Sequence, residues 1–392
     1  MEDKSKQKDF CNILYLSKDK EITNLNSLSS NKIEFVSKNV GELHVIYPGG
    51  MDKRVEKRGE HFFVYPTRFR FKLGFILEAI RVAFFQVTWR FHFRAQLVYA
   101  EDSIWTGLIG YFIAIRKKRL LVVEVNEDVL SPLYRFSSVS RFVGSLVSGF
   151  VISHSNYVIV SSNRIKQSIL NKYKFMKDVI EVIPRAVDPE KINKIDITKD
   201  AKNLFSEPGF IITMAGPFLS NKRVSMAVDI YKRILKRYPR TNLLLIGDGP
   251  GANMVRRMSL TGKLKGKIAN YKMDEDFHSL LRTSHLFLIT STYEDSDGYV
   301  VDALSASLPV VSTDTGIVRE LFSGLKYERY ICKVDDAEEI FNKILELIEN
   351  VGVRDDFRLN ARDLISQDLI VHPEVWAKIT ARVLIGVSKL GL

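Results

Sequence analysis

Three residues carry the strongest chemical suggestion in this chain: Glu294, Asp302 and Lys222. Glu294 follows the apolar run 286-LFLIT-290 within the stretch 291-STYEDSDGYVVDALSASLPVVSTDTG-316, and Asp302 comes eight residues later. A carboxylate at a strand end and another on the first turns of the next helix sit at the carboxyl end of the sheet, where open α/β folds bind ligands. Lys222 lies in the polar loop of 210-FIITMAGPFLSNKRVSMAVDIYKRILKRYP-239, after a strand ending at Gly216 and before an amphipathic helix starting near Val224. An ammonium there, beside backbone N–H groups, suits a phosphate, although a lysine in a solvated turn looks the same. The loop lacks GxxxxGK[ST], and 247-GDGPG-251 lacks GxGxxG, so neither a nucleoside-triphosphate loop nor a dinucleotide fingerprint is present.

The elements that must hold these residues alternate between apolar strand-like runs and amphipathic helical stretches, which predicts a doubly wound α/β architecture. In the first half the strands are 12-NILYLS-17, 44-HVIYP-48, 62-FFVYP-66, 96-QLVYA-100, 120-LLVVEV-125, 157-YVIVSS-162 and 179-VIEVIP-184. The polar segment 185-RAVDPEKINK-194 reads as a linker. Strands resume at 210-FIITMAG-216, 242-NLLLIGDGP-250, 267-KIANYK-272, 286-LFLIT-290, 308-LPVVST-313 and 329-RYICKV-334. Two domains follow, residues 1–195 and 196–372. The segment 373–392 opens on Pro373 and carries Trp376, Ile379, Val383 and Val387 at helical spacing, so it is expected to pack back on the first domain. Between 286–290 and 308–313 a helix opens near Gly298 and Tyr299. Its preceding loop sits at the carboxyl end of the sheet, where open α/β folds bind ligands.

With 392 residues, 46% of them hydrophobic and 27% charged, the composition is that of a globular protein with more than one core. Cys11 and Cys332 are the only cysteines and stand far apart, which argues for a reducing compartment and against a zinc site. His154, His278 and His285 show no ligand spacing. The start, MEDKSKQKDF, has no apolar stretch, so no signal peptide is expected, and 142-FVGSLVSGFVIS-153 is too short to span a bilayer. A cytoplasmic location is the expectation. The formal charge of +12 suits phosphorylated small molecules, anionic lipid or nucleic acid. No zinc-knuckle, RNP-type or basic-zipper pattern supports the last of these.

Taken in order, the strand-Gly-loop-Lys, the GDGP turn, Glu294 with Asp302, and PVVSTDTG resemble glycosyltransferase family 4, whose fold is GT-B. The resemblance covers most of the second half and, more faintly, 157-YVIVSSNRIKQSILNKY-173 and 182-VIPRAVD-188. It implies two Rossmann-like domains facing a central cleft, a nucleotide-sugar donor on the second domain and retention of anomeric configuration. It further implies that Glu294 contacts the donor sugar, that Asp302 meets the ribose hydroxyls and that Lys222 offsets charge on the departing nucleoside diphosphate. Gly216, Gly298 and Tyr299 then join the donor site, and backbone near Tyr271 and Lys272 meets the base. No metal is required for such a reaction, and the donor would be a UDP- or GDP-sugar. The chain departs from the family in four places: Asp302 replaces Glu, Pro217 stands where Arg is usual, Ser307 replaces Gly, and the loop after the first strand has no glycine.

On the first domain, 123-VEVNEDVLSP-132 presents Asn126, Glu127 and Asp128 after a buried strand, near where the family often has a histidine, and Asp128 is a candidate catalytic group. The same residues also suit a solvated acidic turn. Glu101 and Asp102 end another strand and can cap the next helix. Arg185 is a candidate for the cation missing at Pro217. The stretch 67-TRFRFKLGFILEAIRVAFFQVTWRFHFRAQ-96 mixes cations and aromatics around an apolar stripe of Leu73, Ile76, Leu77, Ile80, Phe84 and Val87. Arg68, Arg70, Lys72, Trp89 and Arg90 suit docking on an anionic membrane, and a core-facing helix explains only the stripe. The expected activity is a glycosyltransferase acting on a lipid-linked glycan or glycolipid at the inner membrane face. The alternative is a catalytically weakened GT-B scaffold that activates a partner enzyme. No nucleic-acid partner is expected.

Overall fold

Continuous apolar runs become the central strands of two parallel sheets, because strands covered on both faces by helices see no water. The computed structural model describes residues 11–20, 22, 27–50, 54–68, 72–90, 93–260, 262–294, 298–365 and 370–390, with backbone alone for Leu28, Lys72, Leu73, Gln86, Thr88, Trp89, Arg90, Lys191, Asn193 and Lys263. The chain divides into one unit that ends at Ala186 and regains residues from Val371 onward, and a second unit, Val187–Ile370.

In the first unit, strands β1 (Ile13–Leu16), β2 (Leu43–Tyr47), β3 (Glu56–Gly59), β4 (Phe62–Pro66), β5 (Leu97–Ala100), β6 (Leu120–Val125), β7 (Tyr157–Val160) and β8 (Ile180–Val182) form one sheet. Their order is β3-β4-β2-β1-β5-β6-β7-β8, and β9 (Arg185–Ala186) closes the segment. Only β3 runs antiparallel to its neighbour. Its exposed Lys57 and Gly59 alternate with half-buried residues, which keeps this edge from templating another strand. The helices are α1 (Leu28–Ser37), α2 (Lys72–Arg81), α3 (Trp105–Lys117), α4 (Pro132–Arg135), α5 (Val139–His154) and α6 (Asn163–Lys172). Beyond Arg81, α2 continues to Arg90 in wider π-type turns.

The α2 segment buries Phe75, Glu78, Ala79, Val82, Ala83 and Val87, while Leu77 is 65% exposed. The expected apolar stripe is therefore rotated: Phe75, Ala79, Val82, Ala83 and Val87 form the packing face, and Leu77 points outward.

In the second unit, α7 (Pro189–Lys194) precedes strands β10 (Phe210–Ala215), β11 (Thr241–Ile246), β12 (Ile268–Tyr271), β13 (Leu286–Ile289), β14 (Val310–Thr313) and β15 (Ile331–Cys332). The segment read as a linker thus forms β9 and α7, and the division falls after Ala186 rather than near Ile195. The all-parallel order is β12-β11-β10-β13-β14-β15. Strand order reverses between β10 and β13, the point at which doubly wound sheets open a crevice at their carboxyl ends. Helices α8 (Val224–Arg237), α9 (Pro250–Leu260), α10 (Phe277–Arg282), α11 (Gly298–Ser305), α12 (Val318–Phe322), α13 (Ala337–Glu349) and α14 (Val351–Asn360) complete the unit. On α8 the buried residues Val224, Ala227, Val228, Tyr231 and Ile234 recur at helical spacing and close one face of the core.

Helix α15 (Pro373–Lys389) packs against α1 in the first unit. It buries Trp376, Ala377, Thr380, Ala381, Leu384 and Val387, with Ile379 and Val383 at the margin of that stripe.

Candidate functional site

Lys222 and Glu294 come from loops that follow β10 and β13, the two strands flanking the reversal of the second sheet. The two loops are zipped together. Thr290 Oγ1 donates to the Lys222 carbonyl at 2.7 Å, and the Thr292 N–H donates to the Asn221 carbonyl at 2.9 Å. Asn221 Nδ2 in turn donates to the Tyr293 carbonyl at 3.1 Å. This backbone frame sets the Lys222 Nζ 2.7 Å from Glu294 Oε2, with only 8% and 5% of the two side chains exposed. Ser291 Oγ donates to the other carboxylate oxygen of Glu294. Sequence reasoning missed Ser291, and its place three residues before Glu294 is the only signal it leaves.

Gly216 makes the close approach possible. Its φ of +137° is a conformation that side chains rarely adopt, and an added Cβ would lie 3.0 Å from Lys222 Cε. The same Cβ would meet the Tyr299 ring at 3.4 Å. Gly247, with φ of +136°, serves the neighbouring turn, where a Cβ would fall 2.0 Å from the Gly216 carbonyl oxygen. The GDGP turn is therefore a packing device that lets the strand ends of β10 and β11 touch. Phe218 N–H donating to the Asp248 carbonyl at 2.7 Å locks the two loops.

Tyr299, on the first turn of α11, places its ring 5.3 Å from the Lys222 ammonium. Lys222, Glu294 and Tyr299 line one cavity with Met214, Ala215 and Thr290, and the free space around them is ≈ 10 Å³. That is about one water's worth. The amino end of α11, at Gly298, favours an anion or hydroxyl oxygens through the helix dipole.

Asp302 lies one turn further along α11, half-buried, with Oδ1 3.7 Å from His278 Nε2. It is not among the residues lining the Lys222 cavity. His278 was read only as lacking metal spacing, yet it is the partner of this carboxylate. Tyr271 ends β12, two strands from the reversal; its hydroxyl accepts from Lys199 Nζ at 3.0 Å and donates to Asp276 at 2.7 Å. Lys272 pairs with Asp274 at 3.3 Å. Pro217 supplies no cation, and Arg223 in the same loop is paired with Asp335 at 2.6 Å.

The first unit has its own reversal, between β1 and β5. There Glu101 accepts from Ser17 Oγ, and from the Lys18 N–H at 3.3 Å. Loss of water, reinforced by Glu124, pushes the Glu101 carboxyl from its ordinary 4.5 up to about 7. Glu124 is itself held by the Tyr99 hydroxyl and by Asn126 Nδ2 at 2.7 Å. Asp102 takes the capping role, accepting from the Ile104 and Trp105 N–H groups at 2.7 Å each. Asp128 accepts from Ser168 Oγ of α6 at 2.5 Å, and burial raises its carboxyl above the usual range. Glu127 sits 3.8 Å from Lys18.

Of the residues read as membrane-facing, Arg68 is exposed and 4.0 Å from Glu78, a carboxylate that Arg81 also holds. Arg70 lies outside the described residues, as do the side chains of Lys72, Trp89 and Arg90. Among the described residues, no group of three or more His, Cys, Asp or Glu is placed to hold a metal ion. No described helix is long and apolar enough to cross a membrane.

Comparison with known proteins bears on the same region. Residues 196–364 match the family described as glycosyl transferases group 1. An uncharacterized glycosyltransferase of Methanocaldococcus jannaschii is 24% identical over 168 residues, 42% of this chain and 41% of that protein. The phosphatidylinositol N-acetylglucosaminyltransferase GPI3 subunit of Saccharomyces cerevisiae is 23% identical over 221 residues, 56% of this chain and 49% of that subunit. The chain spans about half the length of the curated relatives it matches. Among solved structures, Anabaena HepE in complex with UDP and glucose superposes with a TM-score of 0.71 at 17% identity, covering 95% of this chain and 99% of that one. At that identity the likeness concerns the fold, which is GT-B. The group 1 match covers the sheet that unites Lys222 with Glu294, on a chain whose fold is GT-B.

Proposed function

We propose that the protein transfers a sugar from a nucleotide-sugar donor to a hydroxyl acceptor with retention of configuration. The observation that carries this reading is the buried Lys222–Glu294 pair at the strand reversal of the group 1 region. A carboxylate there accepts hydrogen bonds from sugar hydroxyls, while the ammonium faces the charge that builds on a departing diphosphate. The amino end of α11 adds N–H groups for the same anion, and Asp302 receives the ribose hydroxyls. With a lysine and a helix terminus meeting the diphosphate, the reaction runs without a metal ion, and UDP- or GDP-sugars are the donors.

The acceptor is assigned to the first unit, and a lipid-linked glycan or glycolipid at the cytoplasmic face of the membrane fits best. The GPI3 relative, by its name, is a subunit of an enzyme whose acceptor is phosphatidylinositol, which supports a lipid acceptor here. Incubation of the purified chain with a panel of nucleotide sugars and lipid acceptors tests the proposal. One donor should yield nucleoside diphosphate, and Glu294→Gln should suppress its release by about a hundredfold. A flat panel overturns the reading.

A second reading, an inactive scaffold for a partner transferase, is favoured by Pro217, which removes a cation from the donor loop. A Glu294→Gln protein that still activates its partner at full strength distinguishes it.

A further inference from the structure

The outer helices of the first unit invert the usual amphipathic order. On α5, Val139, Phe142, Val143, Leu146 and Phe150 recur at helical spacing, and all are exposed, Val139 at 82%. The opposite face carries Gly144, Ser145, Ser148 and Gly149, all buried. Ser148 Oγ donates to Ser103 Oγ at 2.7 Å, and a Cβ at Gly149 would meet the Tyr173 hydroxyl oxygen at 2.8 Å. A surface helix bathed in water turns its large apolar stripe inward. Here small residues bring the backbone close to the unit, Val151 and Ile152 are buried near the carboxyl end, and the large side chains of the stripe are left outside.

Helix α3 shares part of the arrangement, burying Ile109 and Ile113 beside its glycines. Gly107 and Gly110 face inward, where a Cβ would lie 2.9 Å from Val151 and from Leu121, while Phe112 and Ile115 are 52% and 59% exposed. Ring contacts join the helices. Tyr111 of α3 meets Phe150 of α5 edge-on at 4.9 Å, and the exposed Phe136 beside α4 lies 6.3 Å from Phe142. A continuous apolar patch of this kind marks an interaction surface rather than scattered exposed residues.

Charge selects the partner. Helices α3, α4 and α5 contain no Asp or Glu, yet Arg116, Lys117, Arg135 and Arg141 stand among their apolar residues, and Lys118 and Arg119 follow α3. The Arg135 guanidinium lies 4.9 Å from the Phe142 ring centroid. Pairing this face with a second copy would press one cationic surface on another. An anionic bilayer offers hydrocarbon to the stripes and phosphates to the cations.

A cavity of ≈ 240 Å³ opens beside the carboxyl end of α3. Leu14, Ala83, Val87, Val98 and Ile113 make its apolar wall, with Arg94, Lys117 and Arg119 around it. Partial loss of water around Lys117, with the Arg119 charge beside it, holds that ammonium below its usual range. Apolar walls ringed by cations match an acyl chain that ends in a phosphate.

We propose that the α3–α5 face of the first unit seats on an anionic lipid bilayer, with one acyl chain entering the cavity beside α3. This deepens the membrane location argued above and is independent of donor chemistry. The test is flotation of the full chain with vesicles of phosphatidylcholine alone or with added phosphatidylglycerol, in the absence of nucleotide sugar. The wild type should float with the anionic vesicles. Val143→Glu with Leu146→Glu, and separately Arg116→Gln with Lys118→Gln, should each lower partitioning about tenfold or more, with unchanged thermal unfolding because all four positions are solvent-facing. Nucleoside diphosphate release without vesicles should be unaffected. Absence of flotation, flotation indifferent to both variants, or a concentration-dependent dimer abolished by Val143→Glu with Leu146→Glu overturns the proposal. A protein that floats but hydrolyses no donor retains this surface and loses the transferase reading, and the reverse outcome separates them equally.

Discussion

The Lys222 ammonium and the Glu294 carboxylate, 72 residues apart in sequence, form a 2.7 Å ion pair that is almost sealed from water. Each charge is the other's substitute for solvent, so the pair is a structural clasp between the two loops. Removing one partner leaves a buried charge without compensation. Lys222→Ala should therefore destabilise the protein by about 3–5 kcal/mol, read from urea unfolding, and saturating nucleoside diphosphate should not restore it. Lys222→Ala combined with Glu294→Gln should recover part of the loss, because the uncompensated charge is gone.

Gly216→Ala tests whether backbone conformation positions the clasp. The φ of +137° alone costs an alanine about 1–3 kcal/mol, and its methyl group crowds Lys222. A lower thermal midpoint together with a fall in turnover is the expected outcome. Wild-type turnover in this variant would show that Lys222 is not held by the close approach.

Asp302 carries the proposed ribose contact. Asp302→Ala should weaken nucleoside diphosphate binding by roughly tenfold in calorimetry, the worth of hydrogen bonds to a charged acceptor. It should leave binding of free pyrophosphate unchanged. Equal losses for both ligands would instead place Asp302 in a structural role with His278, 3.7 Å away.

Two buried groups should shape the pH dependence of stability in opposite directions. His285 Nδ1 accepts from the Ile211 N–H at 3.1 Å, and burial with Arg358 and Lys202 nearby lowers its pKa from 6.5 to about 4. Between those values the unfolded chain holds the proton and the folded one does not, so His285 costs stability as pH falls from 6.5 toward 4. Glu101 is raised from 4.5 to about 7, so the folded chain holds its proton and stability is lost as pH rises through that window. The two windows overlap between pH 4.5 and 6.5, where His285→Gln should lower and Glu101→Gln should raise the slope of unfolding free energy against pH, each by up to about one proton. An unchanged slope in either variant refutes the corresponding assignment.

The strand runs were legible because parallel strands covered on both faces must be apolar throughout, and the start of 242-NLLLIGDGP-250 lies in the strand Thr241–Ile246, which is buried along its whole length. The helix after Lys222 begins at Val224, where a change of period announces it. The segment 185–194 was misread because short polar runs carry too few residues to show a period, and α7 is only one and a half turns long.

Residue types and order along the chain therefore determined the two-sheet α/β class, the strand ends at which chemistry can occur and the acids and lysine that can perform it. Tertiary structure alone decided which of them meet. Strand order brings β10 beside β13, and with it Lys222 to Glu294, while one further turn of α11 carries Asp302 to His278 instead. It also decided which side of α5 faces the unit. A stripe of Val139, Phe142, Val143 and Leu146 has the same period whether it points inward or outward. The choice falls to Gly144, Ser145, Ser148 and Gly149, whose small side chains permit close packing that is visible only when the neighbouring backbone is in place.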